Sequence, residues 1–405
     1  MNAQQRVRLS RRQVIAVCAS LVGSTTMFLI FRMHHDFFDL RIYRAAIRWW
    51  ADGNRLYEFS QPDVIQDRLY FTYPPISALI IAPLTWLPMW AMATVSVIGT
   101  MVLVTTATRW MVTDFVQRRH LQMGVTLAVA MPVVLSIEPI RETILLGQIN
   151  SILMVLIVAD VMFFVSRRKF AGAGIGIATA LKLVPGVFIA YLIVKREFKA
   201  AAVAVSAAIA TTLLAGAVSP SDSWDFWHTA LWDTSRVGKN YYTGNQSILG
   251  LLSRWWYPTE PSRMVWLGVV AIFAVIAARR VSRSTNRVAD LAVVGMFGGL
   301  ASPITWPHHM WWMIPAGIVL VDHGWPAPGE RIRLNRHWIG LAVILVVNEY
   351  GVLRYVSNSM HGPASNPLEF LLRNSMVFVA IASVVWLPIT KGSADAAVPV
   401  QASLS

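Results

Sequence analysis

Apolar stretches long enough to enter a bilayer recur along the whole chain, separated by short clusters of Lys and Arg. They fall at about 14–31, 90–111, 121–137, 148–165, 199–218, 264–279, 287–304, 307–322, 337–353 and 374–391. A helix needs about 20 apolar residues to cross the hydrocarbon core. Inside that core a backbone must satisfy its own hydrogen bonds, which leaves helices as the spanning element for runs of this length. The pattern therefore predicts an all-α, polytopic membrane protein. Two further stretches fit badly as single spans: 74–88 is rich in proline, and 171–194 carries Lys182 and Pro185 in its middle. With them the expectation is 10–12 membrane segments in one domain over residues 1–392, followed by a disordered tail at 393–405. Hydrophobic residues make up 56% of the chain and charged ones only 14%, which excludes an ordinary soluble enzyme.

The formal net charge of +14 does not point to nucleic acid, because the basic residues sit in short clusters between apolar runs. Those clusters are QRRH (117–120), RRK (167–169), KREFK (195–199), RRVSRSTNR (279–287) and ERIRLNR (330–336). Such clusters mark the cytoplasmic ends of spans. The basic N-terminal stretch before the first apolar run reads as a retained signal anchor. All five clusters fall on one side only if 171–194 enters and leaves on that side or forms a pair of short helices, and if 74–88 does not cross alone. Broken helices persist in membranes where protein or a watery cavity satisfies the freed backbone groups, so these segments predict a cavity. The long polar segments 32–73, 219–262 and 354–373 then share the outer side. The single cysteine, Cys18, excludes an intrachain disulfide and a cysteine-based metal site.

Polar groups suited to chemistry concentrate in those outer segments. HHDFFDLRIY (34–43) places Asp36 and Asp39 just beyond the first span. A carboxylate there can accept a proton from a hydroxyl, or it can be a helix cap or a solvated partner of Arg32 or Arg41. Asp39 precedes an apolar, aromatic helix start, which favours a fixed orientation. SPITWPHHMWW (302–312) holds His308 and His309. Adjacent imidazoles on a helix diverge by about 100°, which favours hydrogen bonding to an anion over shared metal ligation, with a single structural histidine as the plain alternative. Lys182, a charge inside an apolar run, can hold a lipid phosphate or snorkel to the surface. The amides Gln148, Asn150, Asn245 and Gln246 can donate to and accept from sugar hydroxyls, or cap helices. Arg254 can meet a phosphate or sit among headgroups. The YPP sequence at 73–75 is rigid, a scaffold with Tyr73 as a possible substrate contact.

In order along the chain, DLRIY, GNRLY (53–57), FTYPP, GQIN, ALKLVP, NQSILG and SPITWPHH resemble glycosyltransferase family 87, polytopic GT-C enzymes of actinobacteria. The resemblance covers about residues 32–312. It implies a polyprenyl-phosphate sugar donor, a glycolipid or lipoglycan acceptor such as a phosphatidylinositol mannoside or lipomannan, and transfer at the outer face of the plasma membrane. The best-known members are α-(1→2)-mannosyltransferases, and others use decaprenyl-phosphate arabinose. The family's D-x-x-x-Y aspartate falls on Asp39, with Tyr43 closing the motif and joining the sugar contacts, and its histidine pair falls on His308 and His309.

The expected reaction is one inverting displacement, with Asp39 as base, Asp36 as the alternative base, and His308, His309, Lys182 and Arg254 around the donor phosphate. A phosphate leaving group needs no strong acid catalyst, so no cofactor is expected to be required and a divalent metal is optional. Arabinofuranosyl transfer is the runner-up. A lipid-linked sugar flippase is the rival from another class, although it should show internal repeats about the midplane, and none is visible.

Overall fold

The computed structural model describes residues 9–31, 35–63, 67–165, 170–327, 329–351, 364 and 366–392, and helices dominate them. Four are long and apolar enough to cross a membrane: α1 (Arg11–Phe31), α4 (Met89–Arg118), α10 (Phe198–Val218) and α13 (Arg263–Arg283). Two bent pairs pass the same criterion together. They are α5 (Met123–Ser136) with α6 (Glu138–Leu146), bent by 68°, and α17 (Pro367–Arg373) with α18 (Ser375–Trp386), bent by 66°. Each apolar run of the sequence thus has a helical counterpart, but many are short. The chain is a multi-pass membrane protein.

The two awkward stretches break as their composition requires. Residues 74–88 form α3 (Pro75–Ile81) and a 3-10 turn, Ala82–Trp86. Residues 171–194 form a pair of short helices, α8 (Ala173–Leu181) and α9 (Val187–Val194), with Lys182 extended at the break (φ −157°, ψ 125°). The run at 307–322 departs from expectation: helix α15 begins only at Met313 and ends at Gly324. Prolines 303 and 307 lack the N–H that a helix would use. The preceding residues run irregularly, with one 3-10 turn over Pro307–His309, and the largely buried 303–311 supplies the protein surroundings that such backbone needs at membrane depth. A small antiparallel hairpin, β1 (Ser60–Asp63) with β2 (Asp67–Tyr70), was not expected in an all-α chain.

Small residues let the helices approach closely. A Cβ on Gly176 of α8 would lie 2.2 Å from the Ala204 carbonyl oxygen of α10, and one on Gly295 would lie 1.9 Å from the Trp312 ring. The second contact seats α14 (Arg287–Ala301), buried almost all round, against the start of α15.

Charge is segregated between the two ends of the bundle. Arg118 pairs with Asp322 at 2.8 Å, Lys391 with Asp114 at 3.0 Å and Lys195 with Asp290 at 3.3 Å. Ser284 donates to the Ile389 carbonyl at 2.9 Å, tying the 279–287 turn to the same end. The RRK cluster lies outside the described residues. At the far end of the 30-residue α4, about 45 Å away at 1.5 Å per residue, the long polar segments meet. Trp50 donates to Asp222 (2.7 Å), Arg236 to the Tyr57 carbonyl (2.7 Å), Asn245 to that of Pro303 (3.0 Å) and Gln246 to that of Arg373 (2.8 Å). The segment 354–373 is described only at 364 and 366–373, and the tail 393–405 lies outside the described residues.

Gly176→Val should drive α8 and α10 apart and destabilise the fold by about 2 kcal/mol. Gly268→Ala, where a Cβ meets nothing within 4 Å, should leave thermal unfolding of the detergent-solubilised protein unchanged.

Candidate active site

Two consecutive residues in the left-handed region, Asp36 (φ 46°) and Phe37 (φ 55°), turn the chain sharply before α2 (Phe38–Ala51). The Phe37 N–H donates to the Leu145 carbonyl at 3.1 Å, which fixes the turn against the end of α6. Gly147 follows with φ +75°, where a Cβ would meet Leu40 Cβ at 2.6 Å; glycine is required there on both counts. This approach sets Asp39, in the first turn of α2, beside Gln148.

From Asp39 a chain of polar contacts runs across the site. The Gln148 amide donates to Asp39 Oδ2, and its Oε1 accepts from Tyr73 Oη at 2.7 Å. Tyr43, one turn along α2 from Asp39, donates to Tyr73 Oη at 3.0 Å. Lys182 Nζ lies 5.0 Å from the Tyr73 ring centroid, donates to Asn150 Oδ1 at 3.2 Å and is 2.7 Å from His309 Nε2. Asn150 in turn donates to the His308 carbonyl at 2.9 Å. The two imidazoles are perpendicular, with centroids 4.5 Å apart, so they face different partners. Tyr43, Tyr73, Gln148, Asn150 and His308 are buried, whereas Asp39, Lys182 and His309 keep partial exposure.

Burial pushes the Asp39 carboxyl up to about 6, against the Gln148 hydrogen bond and the charges of Lys182 and His35, which favour ionisation. A carboxylate near that value is well matched to proton abstraction at neutral pH.

Beside Lys182 opens an apolar cavity of about 280 Å³ between α8 and α10. It is lined by Thr179, Leu183, Ile209, Leu213 and Trp227, among others. Its lining residue Leu183 follows Lys182 in the sequence.

Four candidates stand apart from this cluster. Asp36 is exposed and pairs with Arg41 at 2.7 Å, so the geometry leaves Asp39 as the carboxylate of the site. Arg254 is buried and engaged by protein acceptors: the Asn374 side chain (2.6 and 2.9 Å) and the carbonyls of Tyr242 (2.7 Å) and Asn245 (2.9 Å). It is not presented to a phosphate. Asn245 donates to Pro303 and accepts from the Thr305 N–H at 3.0 Å, while the Gln246 N–H donates to the Thr305 carbonyl at 2.6 Å. The Asn245 amide and the Gln246 backbone hold the loop that carries the histidines, while the Gln246 amide donates to the carbonyls of Thr243 (2.7 Å) and Arg373 (2.8 Å). Amides suit backbone groups as well as they suit sugars, so sequence could not separate these uses. Among the described residues no group of three His, Cys, Asp or Glu can hold a metal ion.

The sequence reading missed His35 and Glu142, in ion-pair contact at 2.5 Å. The signal was the charged triplet Glu138, Arg141 and Glu142 between two apolar runs, all three buried.

The model of glycosyltransferase family 87 matches residues 71–303. The chain belongs to that family. It is a glycosyltransferase. The family match includes Tyr73, Gln148, Asn150 and Lys182, and Asp39, His308 and His309 lie just beyond its ends. The chain is 31% identical over 339 residues, 78% of each chain, to a Mycobacterium tuberculosis polyprenol-phosphate-mannose-dependent α-(1-2)-phosphatidylinositol mannoside mannosyltransferase. It is 34% identical over 307 residues, 69% of each chain, to the protein of the same description from Mycolicibacterium smegmatis. A pentamannoside mannosyltransferase of M. tuberculosis is 31% identical over 319 residues, 76% of this chain and 72% of its own. No solved structure matches.

The raised Asp39 value makes the family 87 site a stability liability. The folded protein binds this proton more tightly than the unfolded chain, so the stabilisation is present at about pH 4 and is lost as pH rises through about 6. Asp39→Asn should therefore be more stable than the wild type at pH 8, by about 3 kcal/mol, with the difference vanishing near pH 4. Thermal unfolding at the two pH values checks this.

Proposed function

We propose that the protein transfers mannose from polyprenyl-phosphate mannose to a phosphatidylinositol mannoside or related lipoglycan, forming an α-(1→2) linkage with inversion at the outer face of the plasma membrane. The observation that carries this reading is one network of polar contacts that links Asp39, through Gln148 and Tyr73, to Lys182 and His309, with Leu183, the next residue in the chain, lining an apolar cavity. The printed activities of the mycobacterial relatives support the choice of donor and acceptor. The outer-face assignment rests on the basic clusters, which gather at the end of the bundle opposite this network and mark the cytoplasmic side.

In this reaction the acceptor hydroxyl oxygen attacks the anomeric carbon while its proton passes to Asp39. The bond from that carbon to the phosphate oxygen breaks, and the electron pair leaves with polyprenyl phosphate. Lys182 offsets the charge that accumulates on the phosphate, and His309 Nε2, 2.7 Å from the ammonium, holds it in place. The cavity between α8 and α10 takes the first part of the isoprenoid tail, which cannot enter water without exposing apolar area at about 25 cal/mol per Å². Tyr43, Tyr73, Gln148 and Asn150 keep the three reactive groups in place, and holding two amphipathic substrates together supplies much of the rate. The leaving phosphate meets a fixed ammonium, Lys182, so transfer should proceed without an added divalent metal.

Reconstituted in liposomes with polyprenyl-phosphate mannose and a phosphatidylinositol mannoside, the protein should form an α-(1→2)-mannoside, and EDTA should not slow it. Asp39→Asn should lower kcat by about 10²- to 10⁴-fold, whereas Asp36→Asn should retain activity. Lys182→Met should lower kcat and raise the KM for donor. Incorporation of arabinose but not mannose, or movement of the donor across the bilayer without bond formation, would overturn the assignment.

A further inference from the structure

The carboxylate of Glu142 is 1% exposed and is met by His35 Nε2 at 2.5 Å, with Arg141 Nε at 3.8 Å. Apart from those ion pairs neither Glu142 oxygen has a hydrogen-bond partner among the described residues. A buried carboxylate so sparsely served requires the imidazolium form of its partner. The backbone delivers that partner. The left-handed pair Asp36 and Phe37, and the bond from the Phe37 N–H to Leu145, fold His35 back onto α6. Glu142 and Leu145 are on the same turn of α6, and the residues that follow it, Gly147 and Gln148, bind Leu40 and Asp39. One clamp therefore holds both ends of the HDFFD segment, His35 through Glu142 and Asp39 through Gln148.

We propose that His35, anchored by Glu142, is a positioning residue for Asp39, a fixed positive charge that keeps the base ionised in its buried setting. This rests on the reading of Asp39 as the base. The groups facing His35 are Glu142 and Glu138 of α6, Asp39 of α2 and His308 of the loop before α15. Those facing Asp39 are His35, Glu142, Lys182, Tyr43 and Tyr73. Burial alone would make the His35 ring lose its proton more readily, but the Glu142 hydrogen bond and charge, with Asp39 and Glu138 behind them, outweigh it and raise its value. Removing the imidazolium has a double effect: Asp39 loses a favourable charge, and Glu142 is left as an uncompensated anion facing it.

Two measurements test this. In His35→Gln the acid limb of kcat/KM should move up by about one pH unit. The variant should be about fivefold slower than wild type at pH 6 and close to it at pH 8, and His35→Lys should restore the limb. A loss uniform across pH, with the limb unmoved, would overturn the proposal, since a merely structural histidine behaves that way. The second needs no His35 variant: histidine-ring NMR of the wild type and Asp39→Asn in detergent. Coupling is reciprocal, so the His35 ring should lose its proton at lower pH once Asp39 is neutral. An unchanged His35 titration would overturn the proposal while leaving the base assignment intact. Full transfer activity in Asp39→Asn would remove the base assignment, and this inference with it.

Discussion

A carboxylate at the rim of a bilayer must stay ionised to accept a proton, yet the surroundings that exclude water favour its neutral form. The structure meets this constraint at Asp39 with one amide donor, Gln148, and cationic side chains brought from other parts of the chain. Much else at this end of the bundle follows from that requirement. Gly147 exists to let α2 approach, and the left-handed turn at Asp36 and Phe37 exists to aim it. Tyr73 and Tyr43 fix the face of Gln148 that points at the carboxylate.

The same constraint explains the broken helices. A continuous helix through 171–194 would carry Lys182 on its flank in an apolar layer. By ending α8 at Leu181 and restarting at Val187, the chain frees Lys182 to reach Asn150 and His309. The proline-rich stretch at 302–311 does the equivalent for the histidines, replacing the first turns of a span by an irregular segment held by Asn245 and Gln246. Short helices thus mark where the membrane domain has been opened to make a site.

Much of this was legible from the sequence. Apolar runs gave the helices to within a few residues, because burial in lipid leaves few alternatives, and the Lys182 and proline positions marked the breaks. Asp39, Tyr43, Tyr73, Gln148, Asn150, Lys182, His308 and His309 come together as the motif order implied. Asn245, Gln246 and Arg254 read the same way in one dimension, but their polar groups are taken up by backbone and by Asn374. Whether an amide serves a sugar or a carbonyl depends on tertiary neighbours that spacing does not encode. His35 and Glu142 escaped notice for the converse reason, since their partnership spans more than a hundred residues and has no local periodicity.

The central claim is that Asp39, Lys182 and His309 face one bound donor. A cryo-EM structure of the protein with a non-hydrolysable polyprenyl-phosphonate mannose tests it most directly. The account predicts the phosphonate within hydrogen-bond reach of Lys182 and His309, about 3 Å, the isoprenoid tail between α8 and α10, and the sugar between Lys182 and Asp39. A phosphonate seated among the arginines at the opposite end of the bundle, or a sugar remote from Asp39, would contradict it.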